Sequence, residues 1–129
     1  AWTDLASWRL EGRAFADRKA PYDRLPATAE GVVRKEVWEL SRDSAGIAAR
    51  FATKASELHV RYRLSSDALA MPHMPATGVS GVDLYGKAAD GAWHWVEVTR
   101  PSARDVSARL VHGLAAARRE WLLYLPLYN

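Results

Sequence analysis

Cysteine is absent from this sequence of 129 residues. A disulfide framework, a thiolate metal site and a cysteine nucleophile are therefore all excluded. The lack of cysteine suits a periplasmic or secreted bacterial protein, favoured here over a cytoplasmic one, without requiring it. No apolar run approaches the roughly 18–20 residues that a membrane-spanning helix needs, so no membrane partner is expected. Ala1-Trp2 does not begin the basic, apolar, small-residue order of a signal peptide. There is no block of five or more like charges, although the net charge is +3 and the pI about 9.4. Basic and acidic residues interleave, as in Arg34-Lys35-Glu36 and Arg118-Arg119-Glu120. Arg61 and Arg63 make the nearest thing to a basic stripe and read as a solvated strand face, so no nucleic-acid partner is expected. Histidine is scarce too. The four histidines show neither His-x-His nor His-x-x-x-His spacing, and neither a metal nor a cofactor is expected.

What is present fits one soluble globular domain. Hydrophobic residues make up 49% and charged residues 26%, enough for a real core at this length. In Glu57–Leu64, the side chains of Leu58, Val60, Tyr62 and Leu64 fall on one face, and those of His59, Arg61 and Arg63 on the other. Ile47, Ala49 and Phe51 alternate in the same way. With the turn-prone Thr53–Ser56 between them, the two segments are predicted to form a hairpin. Val82–Gly86 and Ala92–Val98 predict a second hairpin around Asp90-Gly91. Val106, Ala108 and Leu110 alternate again, and Trp121–Leu125 is a short apolar run ended by Pro126. Leu114–Glu120 has helix propensity but is short enough to be a structured loop. Glu30–Leu40 suits either a helix or a strand. Roughly seven short strands point to an all-β fold, an antiparallel β-sandwich.

The segment Met71–Tyr85 is the most distinctive in the chain. Pro72 and Pro75 each fix φ and withhold a backbone donor, so Met71–Ala76 is expected to be a stiff loop outside any strand ladder. Gly78 and Gly81 are expected to supply sharp or positive-φ turns before the strand Val82-Asp83-Leu84-Tyr85. Here the chain resembles the GxDLY domain, the N-terminal non-catalytic unit of SGNH-hydrolase-type (GDSL-like) esterases. The signature reads Gly81-Val82-Asp83-Leu84-Tyr85. Pro21–Pro26, Val37-Trp38 with Leu40-Ser41-Arg42, Ser44-Ala45-Gly46 and Leu123–Asn129 follow the same family pattern in order. The resemblance implies a jelly-roll-like sandwich that precedes a catalytic SGNH domain, which is expected after residue 129. It also implies that the parent is a carbohydrate (acetyl) esterase. The apolar ending Trp121–Asn129 would expose several large side chains on its own. A fragment, or a segment packed against something absent, is expected.

The catalytic parts of such an esterase are not legible here. A serine hydroxyl needs an imidazole to take its proton and a carboxylate or carbonyl to orient that imidazole. Arg42-Asp43-Ser44-Ala45 lacks the leading glycine and the leucine of a Gly-Asp-Ser-Leu block. No histidine has an aspartate three residues before it; Ser56, Ala70, Gly91 and Arg109 stand there instead. Gly78-Val-Ser80-Gly81 resembles a nucleophile elbow, but Val82 and a strand follow it. No catalytic residue is assigned.

Five residues stand out as candidates for lining a substrate groove or an interdomain contact: Met71, His73, Met74, Trp93 and Trp95. His73 sits between two prolines and two adaptable methionines. It either shapes the mouth of a neighbouring hydrolase site or merely covers one end of the sandwich. Trp93 and Trp95, two apart on a strand, are core residues, an exposed sugar-stacking surface, or an interdomain contact. Trp38 and Trp121 read as core. Gly81, Asp83, Leu84 and Tyr85 form the structural motif, with Asp83 expected to pair with an arginine or cap a loop. Tyr22, Asp23 and Arg24 read as a stiff loop with an internal Asp–Arg pair.

Three readings remain open at this stage. The first is an accessory domain that supports an SGNH esterase, with that hydrolase domain as its partner. The second is a β-sandwich that binds polysaccharide. The third is a purely structural or dimerising unit, for which an oligomer is possible.

Overall fold

Alternating apolar side chains demand that one face of each strand be covered. A computed structural model describing residues 1–129 shows how the chain meets that demand. Six strands form: β1 (Ala48–Thr53), β2 (Leu58–Arg63), β3 (Asp83–Lys87), β4 (Trp93–Val98), β5 (Asp105–Val111) and β6 (Arg119–Tyr124). A four-stranded sheet has the order β1-β6-β3-β4, and a two-stranded sheet pairs β2 with β5. Every pairing is antiparallel. The two sheets enclose a core that includes Ile47, Val60, Leu84, Leu110, Trp121 and Leu123. Leu84 lies opposite Leu123 and is fully buried; burying a side chain of this size is worth about 2 kcal/mol. The result is an all-β antiparallel sandwich with little helix. No helix is long and apolar enough to cross a membrane.

The second hairpin forms as the sequence predicts. Gly91 takes φ +86°, its N–H donates to Ala88 O at 3.0 Å, and Asp90 Oδ1 accepts from Ala92 N. The first does not form. β1 pairs with β6 and β2 with β5, so the Lys54–Glu57 connection crosses between the sheets. Alternation fixes which face of a strand is buried, not which strand lies beside it. The apolar faces of β1 and β2 therefore contribute to one core from different sheets instead of lying side by side. Six strands form where about seven were expected.

The apolar ending is mostly internal. β6 lies between β1 and β3, and Trp121, Leu122 and Leu123 are buried. Only Tyr124, Leu127 and Tyr128 stay substantially exposed. Residues 114–118 form no helix and lead into β6. Within the ambiguous stretch Glu30–Leu40 the helix prevails, as α1 (Lys35–Ser41), which buries Trp38. A Lys35–Glu39 pair lies along its surface.

Of the sharp or positive-φ turns expected at the two glycines, the positive-φ alternative does not occur. Neither Gly78 nor Gly81 has positive φ. Gly78 lies within the short helix α2 (Ala76–Val79). Gly81 is required for lack of room: a Cβ there would lie 2.4 Å from Thr77 O and 2.8 Å from Thr99 O.

Candidate functional site

The stiff loop closes on itself. Met71 N donates to Met74 O at 2.9 Å and Met74 N to Met71 O at 3.1 Å, leaving Pro72 and His73 at the exposed tip. Pro75 then precedes α2. The base of this loop is joined to the last residues of the chain. Tyr128 N donates to Val79 O at 3.0 Å. The Asn129 amide nitrogen donates to Ser80 Oγ at 3.2 Å and to Ser66 O, while its oxygen accepts from Ser66 N and Ser65 Oγ. Ser80 Oγ donates onward to Leu69 O at 2.8 Å.

The hydroxyls that resemble nucleophiles are thus occupied structurally. Ser44 Oγ donates to Pro126 O at 2.7 Å, and Ser80 Oγ spends its proton on Leu69 O. Both serines are buried. His59, the one histidine with a side-chain partner, faces Glu57 at 3.4 Å. It borders an open cleft of about 1640 Å³ between β1, β2 and the N-terminal segment. No serine bonds to a histidine anywhere in the hydrogen-bond network.

Tyr62 ties the two sheets together below the loop. Its hydroxyl donates to Ser80 O at 3.0 Å and lies 2.7 Å from Thr99 Oγ1, which in turn accepts from Val82 N. Burial pushes the Tyr62 phenol above its ordinary pKa, against a smaller opposing effect of the Thr99 hydrogen bond.

Trp93 and Trp95 lie elsewhere, on the outer face of the four-stranded sheet. Cross-strand register lays out rows on that face. Arg50, Leu122, Tyr85 and Trp95 make one row, and Lys87 and Trp93 belong to the next. Leu84 opposes Glu97 while Tyr85 opposes Trp95, so Val96 is an extra residue. This bulge brings Trp95 onto the face of Tyr85. The two indoles differ. Trp93 is half-buried, with Arg50 and Lys87 lying 5.1 and 5.8 Å from its ring centroid. Trp95 is 52% exposed, and its Nε1 donates to Asp83 Oδ1 at 2.9 Å. The partner of Asp83 is therefore an indole rather than an arginine. Tyr85 meets Tyr124 edge-on at 5.8 Å.

The five candidates accordingly form two sets, a loop tip with Met71, His73 and Met74, and a sheet face with Trp93 and Trp95. Trp38 and Trp121 are core, as expected. The internal pair expected within Tyr22-Asp23-Arg24 is re-partnered. Buried Asp23 faces Arg42 at 3.4 Å, and Arg24 donates to the main-chain oxygens of Leu40 and Asp43. What the sequence reading missed is the pairing of Asp83 with Trp95. Their cross-strand proximity was latent in the predicted hairpin.

Fold and motif together define a β-sandwich built around Gly81–Tyr85. Over residues 1–129 the sequence matches the GxDLY family, described as the N-terminus of SGNH-hydrolase-type esterases, and the chain belongs to that family. A crystal structure of a protein described as a GDSL-like lipase, from Bacteroides ovatus, superposes with a TM-score of 0.85 at 28% sequence identity. The match covers 93% of this chain but 35% of that one. A comparison with curated proteins finds no match.

Proposed function

We propose that this chain is the non-catalytic N-terminal domain of an SGNH-type ester hydrolase acting on acetylated carbohydrate. It supports the hydrolase domain and presents the Met71–Pro75 loop to the rim of its substrate groove. The observation that carries this reading is the clamp between residues 125–129 and the base of the loop. In the family the hydrolase follows this domain. A domain continuing from Asn129 would start beside Val79 and Ser80, to which Tyr128 and Asn129 are hydrogen-bonded. In this reading His73 reaches toward it from a loop that carries two prolines and is closed by the two Met71–Met74 hydrogen bonds. The engagement of the Ser44 and Ser80 hydroxyls with main-chain carbonyls supports the placing of the chemistry in the following domain.

The test is turnover of p-nitrophenyl acetate and of acetylated xylan. This chain would be compared with a longer form continuing through the hydrolase domain. Turnover is expected only in the longer form. There, His73→Ala should raise KM for acetylated xylan while leaving p-nitrophenyl acetate kinetics nearly unchanged, because the small ester does not reach the rim. Turnover by the short chain that is sensitive to serine inhibitors would overturn the non-catalytic reading. Unchanged xylan kinetics in His73→Ala would overturn the role of the loop.

A further inference from the structure

The outer face of the four-stranded sheet carries a feature that support of a hydrolase does not explain. Trp95 is half-exposed, yet its orientation is fixed by the bond from Nε1 to Asp83. No aromatic ring packs against its indole, and no cation lies over it; the cations of this face lie over Trp93 instead. The hydroxyls of Tyr85 and Tyr124, in the same and the adjacent row, make no hydrogen bond within the chain. The only side-chain hydroxyl of a tyrosine so engaged is that of Tyr62. The patch is bordered by ion pairs, Arg50 with Glu11 at 2.6 Å and Lys87 with Glu120 at 3.3 Å.

We infer that this face binds a neutral glycan, a chain of pyranose rings, with Trp95 as the stacking platform. A pyranose ring offers an apolar C–H face to a flat aromatic, while its edges seek donors and acceptors. A free indole face beside two unengaged phenolic hydroxyls supplies both. Asp83 holds the ring before the ligand arrives, so less freedom is lost on binding. A protein partner fits this face less well, because a dry contact would have to strip water from the bordering ion pairs. Sugar hydroxyls can replace that water. The motif then has two duties. Val82 and Leu84 point into the core, while Asp83 and Tyr85 build the binding face. This site does not depend on the hydrolase reading, since it is complete within the 129 residues.

The test is affinity electrophoresis of this chain through gels containing uronate-free arabinoxylan, glucomannan or hydroxyethyl cellulose. All three are neutral polymers, so the protein's positive charge cannot cause retention. Retardation is expected in at least one gel. Trp95→Ala should weaken it by roughly tenfold or more, as truncation of a central aromatic anchor does. Asp83→Asn and Tyr124→Phe keep the ring and should weaken it less. Thermal melts accompany each variant. Should Trp95→Ala fail to fold, the two milder variants decide, and both retaining wild-type mobility shifts would overturn the assignment. Passage of the wild-type chain through all three gels without retardation would overturn it too. So would acrylamide quenching that finds Trp95 shielded only in the longer form, with no glycan retention by the short chain. In that case the face belongs to the hydrolase domain.

Discussion

Tyr62 links three segments through one oxygen: β2, the residue before Gly81, and Thr99 after β4. Tyr62→Phe removes the donor to Ser80 O and leaves that buried carbonyl short of a partner, at a cost of about 1 kcal/mol. Urea unfolding of the variant should show a lower midpoint with an unchanged slope. The pH dependence has a definite sign. Burial raises the phenol pKa in the folded state, so the protonated form is favoured by folding. The associated stability is fully present below the ordinary tyrosine pKa and is lost as pH rises through the raised folded value. Melting temperatures followed into the alkaline range should therefore decline less steeply in Tyr62→Phe than in the wild type. None of this was legible in the sequence. Alternation placed Tyr62 on the inward face, but the identity of its partners depends on which loop closes that end of the sandwich.

At the scale of the element, the start of β3 is the most tightly constrained stretch. Gly81→Ala would drive a methyl group into two main-chain oxygens, Thr77 O and Thr99 O. Neither is the movable end of a side chain, so the expected loss is about 1–3 kcal/mol, measurable as a shift of the urea midpoint. Gly78 is a useful contrast. A Cβ there would meet only Met74 side-chain atoms, at 2.9 and 3.1 Å. Methionine can yield, so Gly78→Ala should cost less than Gly81→Ala. A ranking in the opposite order would show that Gly81 is not held by close approach. The β3–β4 hairpin was readable because Asp90-Gly91 is a local signal that needs no knowledge of the rest of the chain. The Val96 bulge was not. It arises from fitting Tyr85 and Trp95 to one face while Glu97 meets Leu84, and that is settled only when both strands are paired.

For the molecule as a whole, acid should destabilise through two carboxylates whose pKa values lie below the ordinary one. Arg50 hydrogen-bonds Glu11, and the Val98 N–H, with Arg100 behind it, stabilises ionised Glu97. Each contributes stability that is present above the unfolded-state pKa and lost as pH falls through the lower folded value. Both groups are largely exposed, so the decline should be shallow and should flatten further in salt. Asp43 acts in the opposite sense, because burial raises its pKa and its charged form costs stability as pH rises. Thermal melts of Arg50→Gln between mildly acidic and neutral pH should lose the Glu11 share of the slope and keep the Glu97 share. An unchanged profile would mean that the Glu11–Arg50 pair contributes nothing to folding.

The sequence by itself determined the all-β class, the family and the inward-facing residues. Each is carried by local information, namely period-two alternation, turn residues and an ordered set of short motifs. The tertiary structure decided strand neighbours and side-chain partners. Thus β1 chose β6 rather than β2, Asp23 chose Arg42 rather than Arg24, and Asp83 chose an indole rather than an arginine. Alternation states which face of a strand must be buried. It cannot state which other segment will bury it, because that choice is a competition among all apolar faces in the chain. The same competition left Trp38 and Trp121 in the core, clamped Trp93 under two cations, and kept the Trp95 ring free.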